Sequence, residues 1–235
     1  MRHYLFLLFI TFFPSSSYLL LSLLCNTIAV CSDKTGTLTL GRMSISKADS
    51  QAFDGYDLDA LMVMSLLSSR RENCDAIDQA VNNAFSDPDK PEVASRTVIS
   101  AAMEPYEEQF FEPFSPLTKK VTATIKVKAT GKEFIVAKGA PEVMTSLPGI
   151  DADTEKLAND IVDDRSARAF KTLGVAKSED NGETWTMVGF LAIADPPRYD
   201  SADTIMKAQE LGVRVKMITG DQKKIAIEIA RQLHM

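Results

Sequence analysis

The chain has 235 residues, 45% hydrophobic and 25% charged, with 26 Lys and Arg against 32 Asp and Glu for a net charge of −6. That length allows one large or two medium domains with a real core, and the acidic balance argues against a nucleic-acid partner, because phosphate backbones demand a basic surface. Two histidines exclude a histidine metal cluster, and three cysteines without CxxC spacing read as free thiols in a reducing compartment. Any metal is then a hard cation held by carboxylates, carbonyls and phosphate, which points to Mg²⁺.

In chain order, the predicted elements begin with an apolar N-terminus. Residues 4–24 read YLFLLFITFFPSSSYLLLSLL, apolar except at 14–17. At roughly 20 residues the run is long enough to span a bilayer with a kink at Pro14. It also reads as a signal-like hydrophobic region, 5–13, behind Arg2. A second apolar run, 27–32, predicts a buried strand that ends at Asp33-Lys34-Thr35-Gly36-Thr37-Leu38-Thr39. A carboxylate at a strand end, a glycine that lets the backbone turn and a set of hydroxyls suit a nucleophile that attacks a phosphoryl group. A polar turn after a core strand is the plain alternative, since Asp, Gly and Thr are ordinary turn residues.

Past this loop the sequence turns hydrophilic. Periodicity predicts helices over 58–67 and 76–85, the second with Ile77, Ala80, Val81 and Ala84 on one face. Residues 86–91, SDPDKP, predict a loop. Alternation at 121–127, a turn at Gly131 and a further strand at 133–137 predict a hairpin. Helical texture over 154–171 leads to a strand at 173–176, and Asn181-Gly182 marks a turn before a strand at 185–194. The last segment predicts a helix at 201–211 ended by Gly212, a strand at 213–218 closed by Thr219-Gly220-Asp221, and a helix at 225–233. This strand, helix, strand, helix order predicts a parallel sheet with crossover helices, shared by the strand before Asp33. Residues 46–186 then form an insertion of mixed α/β character.

No GxxxxGK[ST] loop occurs, so phosphoryl chemistry here does not rest on a P-loop. Thr219 and Gly220 end a predicted strand and can face the same sheet edge as Asp33, where open parallel sheets bind ligands. Alone, this tripeptide reads as a helix N-cap; with Asp33 beside it, a second phosphate-facing loop is the better reading.

DKTGTLT (33–39), KGAP (138–141), DPPR (195–198) and TGD (219–221), in this order, resemble the P-type ATPases over about residues 27–235. The phrases CSDKTGTLTL, ENCDAIDQAV, PFSPLTKK, KGAPE and DPPRYDSADTI further resemble the plasma-membrane proton-pump subfamily. The resemblance implies an α/β fold: a haloacid-dehalogenase-like Rossmannoid phosphorylation domain, incomplete, from 26–45 and 187–235, with an inserted mixed α/β nucleotide-binding domain at 46–186. It implies that Asp33, flanked by Lys34, attacks the γ-phosphate of ATP, and that Asp33 and the Thr35 carbonyl hold Mg²⁺. It implies that Thr219 and Gly220 contact the phosphoryl group and that Asp221 lies near the ribose. In the insert, Phe114 would stack on adenine, Lys119 would lie close by, and Lys138 with Gly139 would form the adenine pocket. Asp75 would contact the adenine amino group. Lys171 stands where many relatives carry an Arg that reaches the phosphates; Lys keeps the charge and loses the fork. Asp195 and Arg198 would sit at the hinge between domains.

The same resemblance implies a parent protein in the plasma membrane that exports a cation, most simply a proton, with this region facing the cytosol and ATP as its partner. Relatives continue past the TGD loop to a GDGxNDxP loop, and they carry membrane helices and a dephosphorylation loop that this sequence lacks. Residues 1–25 are therefore read as a foreign or mistranslated leader, and the chain as a fragment that binds nucleotide with little or no turnover. Two rivals come from other classes. One is a soluble haloacid-dehalogenase-like phosphatase, in which a second Asp two residues after the first acts as general acid; position 35 here is Thr. The other is a catalytically incomplete nucleotide-binding module.

Overall fold

The computed structural model of the protein describes residues 29–53, 55–87 and 90–235. The expectations for residues 1–25 lie outside them. The first strand, β1 (Ala29–Asp33), runs into a tight loop, Lys34–Leu38, and then into β2 (Ser44–Ala52). Helices α1 (Leu58–Leu67) and α2 (Ala76–Asn83), strands β3 (Ser86–Asp87) and β4 (Lys90–Ala94), and helix α3 (Arg96–Met103) follow. Next come β5 (Tyr106–Glu112), β6 (Lys120–Val127), β7 (Glu133–Gly139), α4 (Pro141–Thr145) and α5 (Ala152–Ala167). The chain closes with β8 (Lys171–Ser178), β9 (Thr186–Ala194), α6 (Ser201–Glu210), β10 (Arg214–Ile218) and α7 (Lys223–Gln232).

Local chemistry starts several helices where the sequence places a short polar side chain. Asp57 accepts from the Ala60 N–H at 2.7 Å, Asp75 from Ile77 and Asp78 at 2.9 and 2.7 Å, and Asp151 from Thr154 at 2.6 Å. Each satisfies backbone donors that the first helical turn leaves without a partner.

Two sheets organise the molecule. Strands β1 and β10 pair in parallel, with Ala29 opposite Arg214 and Asp33 opposite Ile218. Val215 and Met217 of β10 pack on Leu38, Ile205, Ile225, Ile229 and Leu233, so α6 and α7 cover that face. The second sheet has six antiparallel strands in the order β2-β9-β8-β7-β6-β5. Its side chains alternate between two cores, as the pleat requires. Val136, Val175, Val188 and Leu191 join Leu61, Leu66, Leu67 and Val81 of α1 and α2 on one face. Ala137, Ala176, Met187 and Phe190 join Met144 of α4 and Ala158 of α5 on the other.

Three expectations need correction. The strand 185–194 does not belong to the parallel sheet; β9 pairs antiparallel with β2 and β8. Burial on both faces makes β9 apolar throughout, and such a run does not reveal which sheet a strand enters. The antiparallel sheet accordingly takes in β2 from Ser44 and β9 to Ala194. Residues 86–91, expected as loop, contribute to the two short strands of the β3–β4 pair. The helix expected over 154–171 stops at Ala167, and Lys171 already opens β8. No helix among the described residues is long and apolar enough to cross a membrane.

Strand β2 bulges strongly: Ser46 faces Ala192 and Gln51 faces Phe190, so residues 47–50 stand opposite Leu191 alone. The strands crowd where pairing resumes. A Cβ at Gly189 would lie 2.3 Å from the Gln51 carbonyl oxygen and 2.9 Å from Ala52 Cα, both backbone atoms that cannot swing away. Gly189→Ala is expected to destabilise the fold by about 1–3 kcal/mol, the usual cost of forcing extra volume into a packed site. Urea unfolding measures it; a midpoint equal to wild type would refute the crowding.

Candidate active site

The parallel pairing brings the two strand-ending loops to one edge. Because Asp33 lies opposite Ile218, Asp33 and Thr219-Gly220-Asp221 leave the sheet side by side at the carboxyl ends of their strands. Asp33 is exposed and, among the described residues, its carboxylate makes no hydrogen bond or ion pair. The backbone behind it turns through Thr35 (φ −76°, ψ 120°) and Gly36 (φ 77°, ψ −5°), and the Thr39 N–H closes on the Lys34 carbonyl at 3.0 Å. Gly36 occupies the left-handed region that an L side chain resists. Gly41 backs directly onto it, since a Cβ at 41 would come 2.9 Å from Gly36 Cα.

Lys34 turns the other way. Its side chain is 1% exposed, and its ammonium sits 3.0 Å from Asp195 Oδ2 and 2.9 Å from Asp221 Oδ2. Burial works against the charge, yet the two carboxylates, Asp221 and Asp195, outweigh it and hold the Lys34 pKa above its ordinary value. Asp221 also takes the Lys171 ammonium on Oδ1 at 2.6 Å. Burial pushes the Asp221 carboxyl up, but Lys171 and Lys34 pull it further down, so its pKa lies below the usual range. Its Oδ2 meets Lys34 as a charge contact only, without hydrogen-bond alignment.

Asp195, expected at the hinge, is 7% exposed and acts as a hub for the loop. Besides Lys34 it lies 2.7 Å from Thr39 Oγ1 and accepts from the Gly41 N–H at 3.1 Å. The loop is further zipped to the segment that follows β9: Leu40 N–H donates to Pro196 O and Arg198 N–H to Leu38 O, each at 3.0 Å. The Arg198 side chain turns outward to Asp200 at 3.2 Å. Thr39 and Gly41 are site residues that the sequence reading did not single out. The available signal was their place in and just after the loop motif.

The residues expected to surround a nucleotide are only partly gathered. Lys138 is buried and bonds Asp78 Oδ1 at 2.7 Å and the Ser69 hydroxyl. Burial lowers its pKa despite the attraction of Asp78. Asp78, which the sequence reading missed, also accepts from the Arg70 N–H at 3.1 Å. Gly139 is required by close approach: a Cβ there would lie 2.7 Å from the Lys119 carbonyl. Lys119 itself is on the surface, 3.9 Å from Glu142. Phe114 is 55% exposed, and the Asp75 carboxylate is engaged in capping α2. Lys171 reaches the opposite loop through Asp221.

Asp33 and the Thr35 carbonyl offer hard oxygen donors at the loop where a phosphate would sit. That donor set fits Mg²⁺, which binds through one or two carboxylates plus substrate phosphate and keeps several waters. A family model described as haloacid dehalogenase-like hydrolase matches residues 29–235, the whole described span. An aspartate nucleophile on a Rossmannoid α/β scaffold, and a general use of Mg²⁺, go with that family.

Two expectations follow from the buried charges. Asp195→Ala is expected to cost about 3 kcal/mol, the low end for breaking a buried pair, because Lys34 keeps Asp221. Lys34→Met should cost at least as much, and the double variant less than the sum, since the two share one network. Urea unfolding of the three variants checks this; strict additivity would refute the network. For pH the sign is set by the lowered Asp221 pKa. Its contribution is present above the unfolded-chain value of about 3.9 and is lost as pH falls through the lower folded value. Asp221→Asn should therefore lose less stability than wild type between about pH 7 and about pH 2. An equal loss would count against this assignment.

Proposed function

The chain belongs to the haloacid dehalogenase-like hydrolases, and on that premise we propose that Asp33 accepts the γ-phosphoryl group of ATP and holds it as an aspartyl-phosphate. The parent activity in this reading is an ATP-driven cation pump of the P-type ATPase class, a proton exporter of the plasma membrane with this region on its cytosolic side. The observation that carries it is Thr35. A hydrolase that cleaves its own aspartyl-phosphate quickly needs a proton donor beside the leaving or attacking oxygen, and a threonine hydroxyl is far too weak an acid for that work. With Thr35 in that place, the phosphorylated state lasts long enough to drive a change of conformation.

The geometry supports the steps. The Asp33 carboxylate is exposed at the strand end and unpaired among the described residues, so its oxygen can approach phosphorus in line while the bond to the ADP oxygen breaks. The Thr219 hydroxyl and the Gly220 N–H stand at the same edge to receive the phosphoryl oxygens. Lys34 does not share in the attack; locked between Asp195 and Asp221, it fixes the loop from which Asp33 projects. Mg²⁺, when bound, lowers the negative charge on the phosphates, and Asp33 with the Thr35 carbonyl would hold it. Nucleotide specificity in this reading comes from Phe114 against the base, Lys119 and Asp75 nearby, and the Lys138-Gly139 turn. Lys171 would exchange Asp221 for a phosphate oxygen.

Incubation with [γ-³²P]ATP and Mg²⁺ should give an acid-stable adduct that Asp33→Asn abolishes. Thr35→Asp should shorten the life of the adduct by about 10²-fold, the scale of a positioned general acid or base. ATP should also bind in a calorimeter, more weakly to Phe114→Ala. If label passes to water without any adduct, the soluble phosphatase reading replaces this one. If ATP does not bind at all, the nucleotide reading falls.

A further inference from the structure

A cavity of about 470 Å³, lined by residues other than the Asp33 loop, lies between the bulge of β2 and α5. Both walls are built. The bulge is pinned by Ser46 donating to Asp49 Oδ2 at 2.6 Å, Ser50 donating to Ser46 O at 2.7 Å, and the Ala192 N–H donating to Ser50 Oγ at 3.1 Å. Bulges of this kind re-aim side chains, often beside functional sites. On the α5 side stands Arg165, 3% exposed, which lines the cavity.

Among the described residues, Arg165 is a buried cation without an ion-pair partner. Its Nη1 makes no hydrogen bond, and among the described residues the side chain enters no ion pair. The two acids close enough to attract it, Asp49 and Asp164, are both held by Arg168. Burial, with Arg168 nearby, brings the Arg165 pKa down to about 10, so it is still charged at neutral pH. A buried guanidinium that folding leaves unsatisfied is costly unless a group from outside completes it. A carboxylate is the natural complement, since it takes two parallel N–H bonds from one guanidinium.

The rest of the lining narrows the ligand. Asp49, Asp160 and Asp164 face Arg165 and Arg168, three carboxylates against two guanidiniums. A dianion such as phosphate would meet a surface already negative by one charge. Asp160, on the same wall, makes no ion pair among the described residues and is free to receive an ammonium. Ala48 and Ile161 add apolar surface between these poles. The volume lies in the range of small-molecule sites.

We propose that this cavity is a binding site for a small zwitterion, an aliphatic α-amino acid, with its carboxylate on Arg165 and its ammonium on Asp160. The site is separate from the phosphoryl chemistry, and it adjoins it through one helix. Ser166, next to Arg165, donates to Gln222 Oε1 at 2.8 Å, and Asp163 of α5 pairs with Lys224 at 2.7 Å. An occupant at Arg165 thus acts on the helix that touches the segment following the TGD loop.

The test is a titration of the ¹⁵N-labelled full chain with glycine, L-alanine and L-leucine, alongside acetate and inorganic phosphate. Saturable amide shifts are expected at Ala48–Gln51 and Ile161 with an amino acid, about tenfold tighter than with acetate, the worth of one added charged contact. Phosphate should leave these amides unmoved, whatever it does at Thr219–Asp221. Arg165→Gln should abolish the shifts, and Asp160→Asn should reduce amino-acid binding to the level of acetate. Arg165→Met should melt no lower than wild type, because it removes an unpaired buried charge. Absence of saturable shifts with all three amino acids, shifts that persist in Arg165→Gln, or tighter binding of phosphate would each overturn the proposal.

Discussion

The structure around Asp33 depends on one buried ammonium. Lys34 is taken out of water and held between Asp195 and Asp221, two carboxylates that come from distant parts of the chain. An isolated charge at that depth is untenable, so all three segments must be in place together. Asp195 then spreads the constraint to Thr39 and Gly41, and Asp221 spreads it to Lys171 at the start of β8. A short-range electrostatic requirement thereby fixes the loop after β1, the exit of β9, the turn after β10 and the start of β8 relative to one another.

That arrangement separates two neighbours with opposite needs. Asp33 has to be exposed and unpaired to act as a nucleophile, while the loop that carries it has to be rigid. Consecutive residues of a strand end point in opposite directions, so the chain can expose one and bury the next. The back-to-back approach of Gly36 and Gly41 removes the side chains that would otherwise hold the turn apart. Rigidity of this kind fits phosphoryl transfer, where the protein contributes position and fixed charge more than covalent chemistry. Lys171 links the same network to the inserted sheet, because its ammonium pairs with Asp221.

Particular elements show where the sequence was readable. Helix α1 falls at the predicted 58–67 because apolar spacing and an Asp cap agree there. The hairpin of β6 and β7 was legible from alternation about Gly131. Strands β2 and β5, by contrast, escaped notice. Strand β5 is an edge strand with most of its side chains in water, and β2 is interrupted by the bulge at 47–50, so neither keeps a two-residue apolar rhythm. Helix α3 buries only Ile99, too little for a clear stripe. In the site, the loop motif flagged Asp33, Lys34 and Thr35, yet nothing local showed that Lys34 faces inward or that Asp78 partners Lys138.

The sequence by itself determined the chemistry: an Asp at a strand end, a loop able to turn, and a second strand-ending loop with a hydroxyl and a glycine. Those are local properties, written in residue type and spacing. Only the tertiary structure decided which carboxylates compensate Lys34, which sheet receives β9, and that Arg165 is buried beside an open cavity with no ion pair among the described residues. The reason is physical. Pairing, burial and desolvation depend on groups distant in the chain, and the free energy of a buried charge is set by what surrounds it in space.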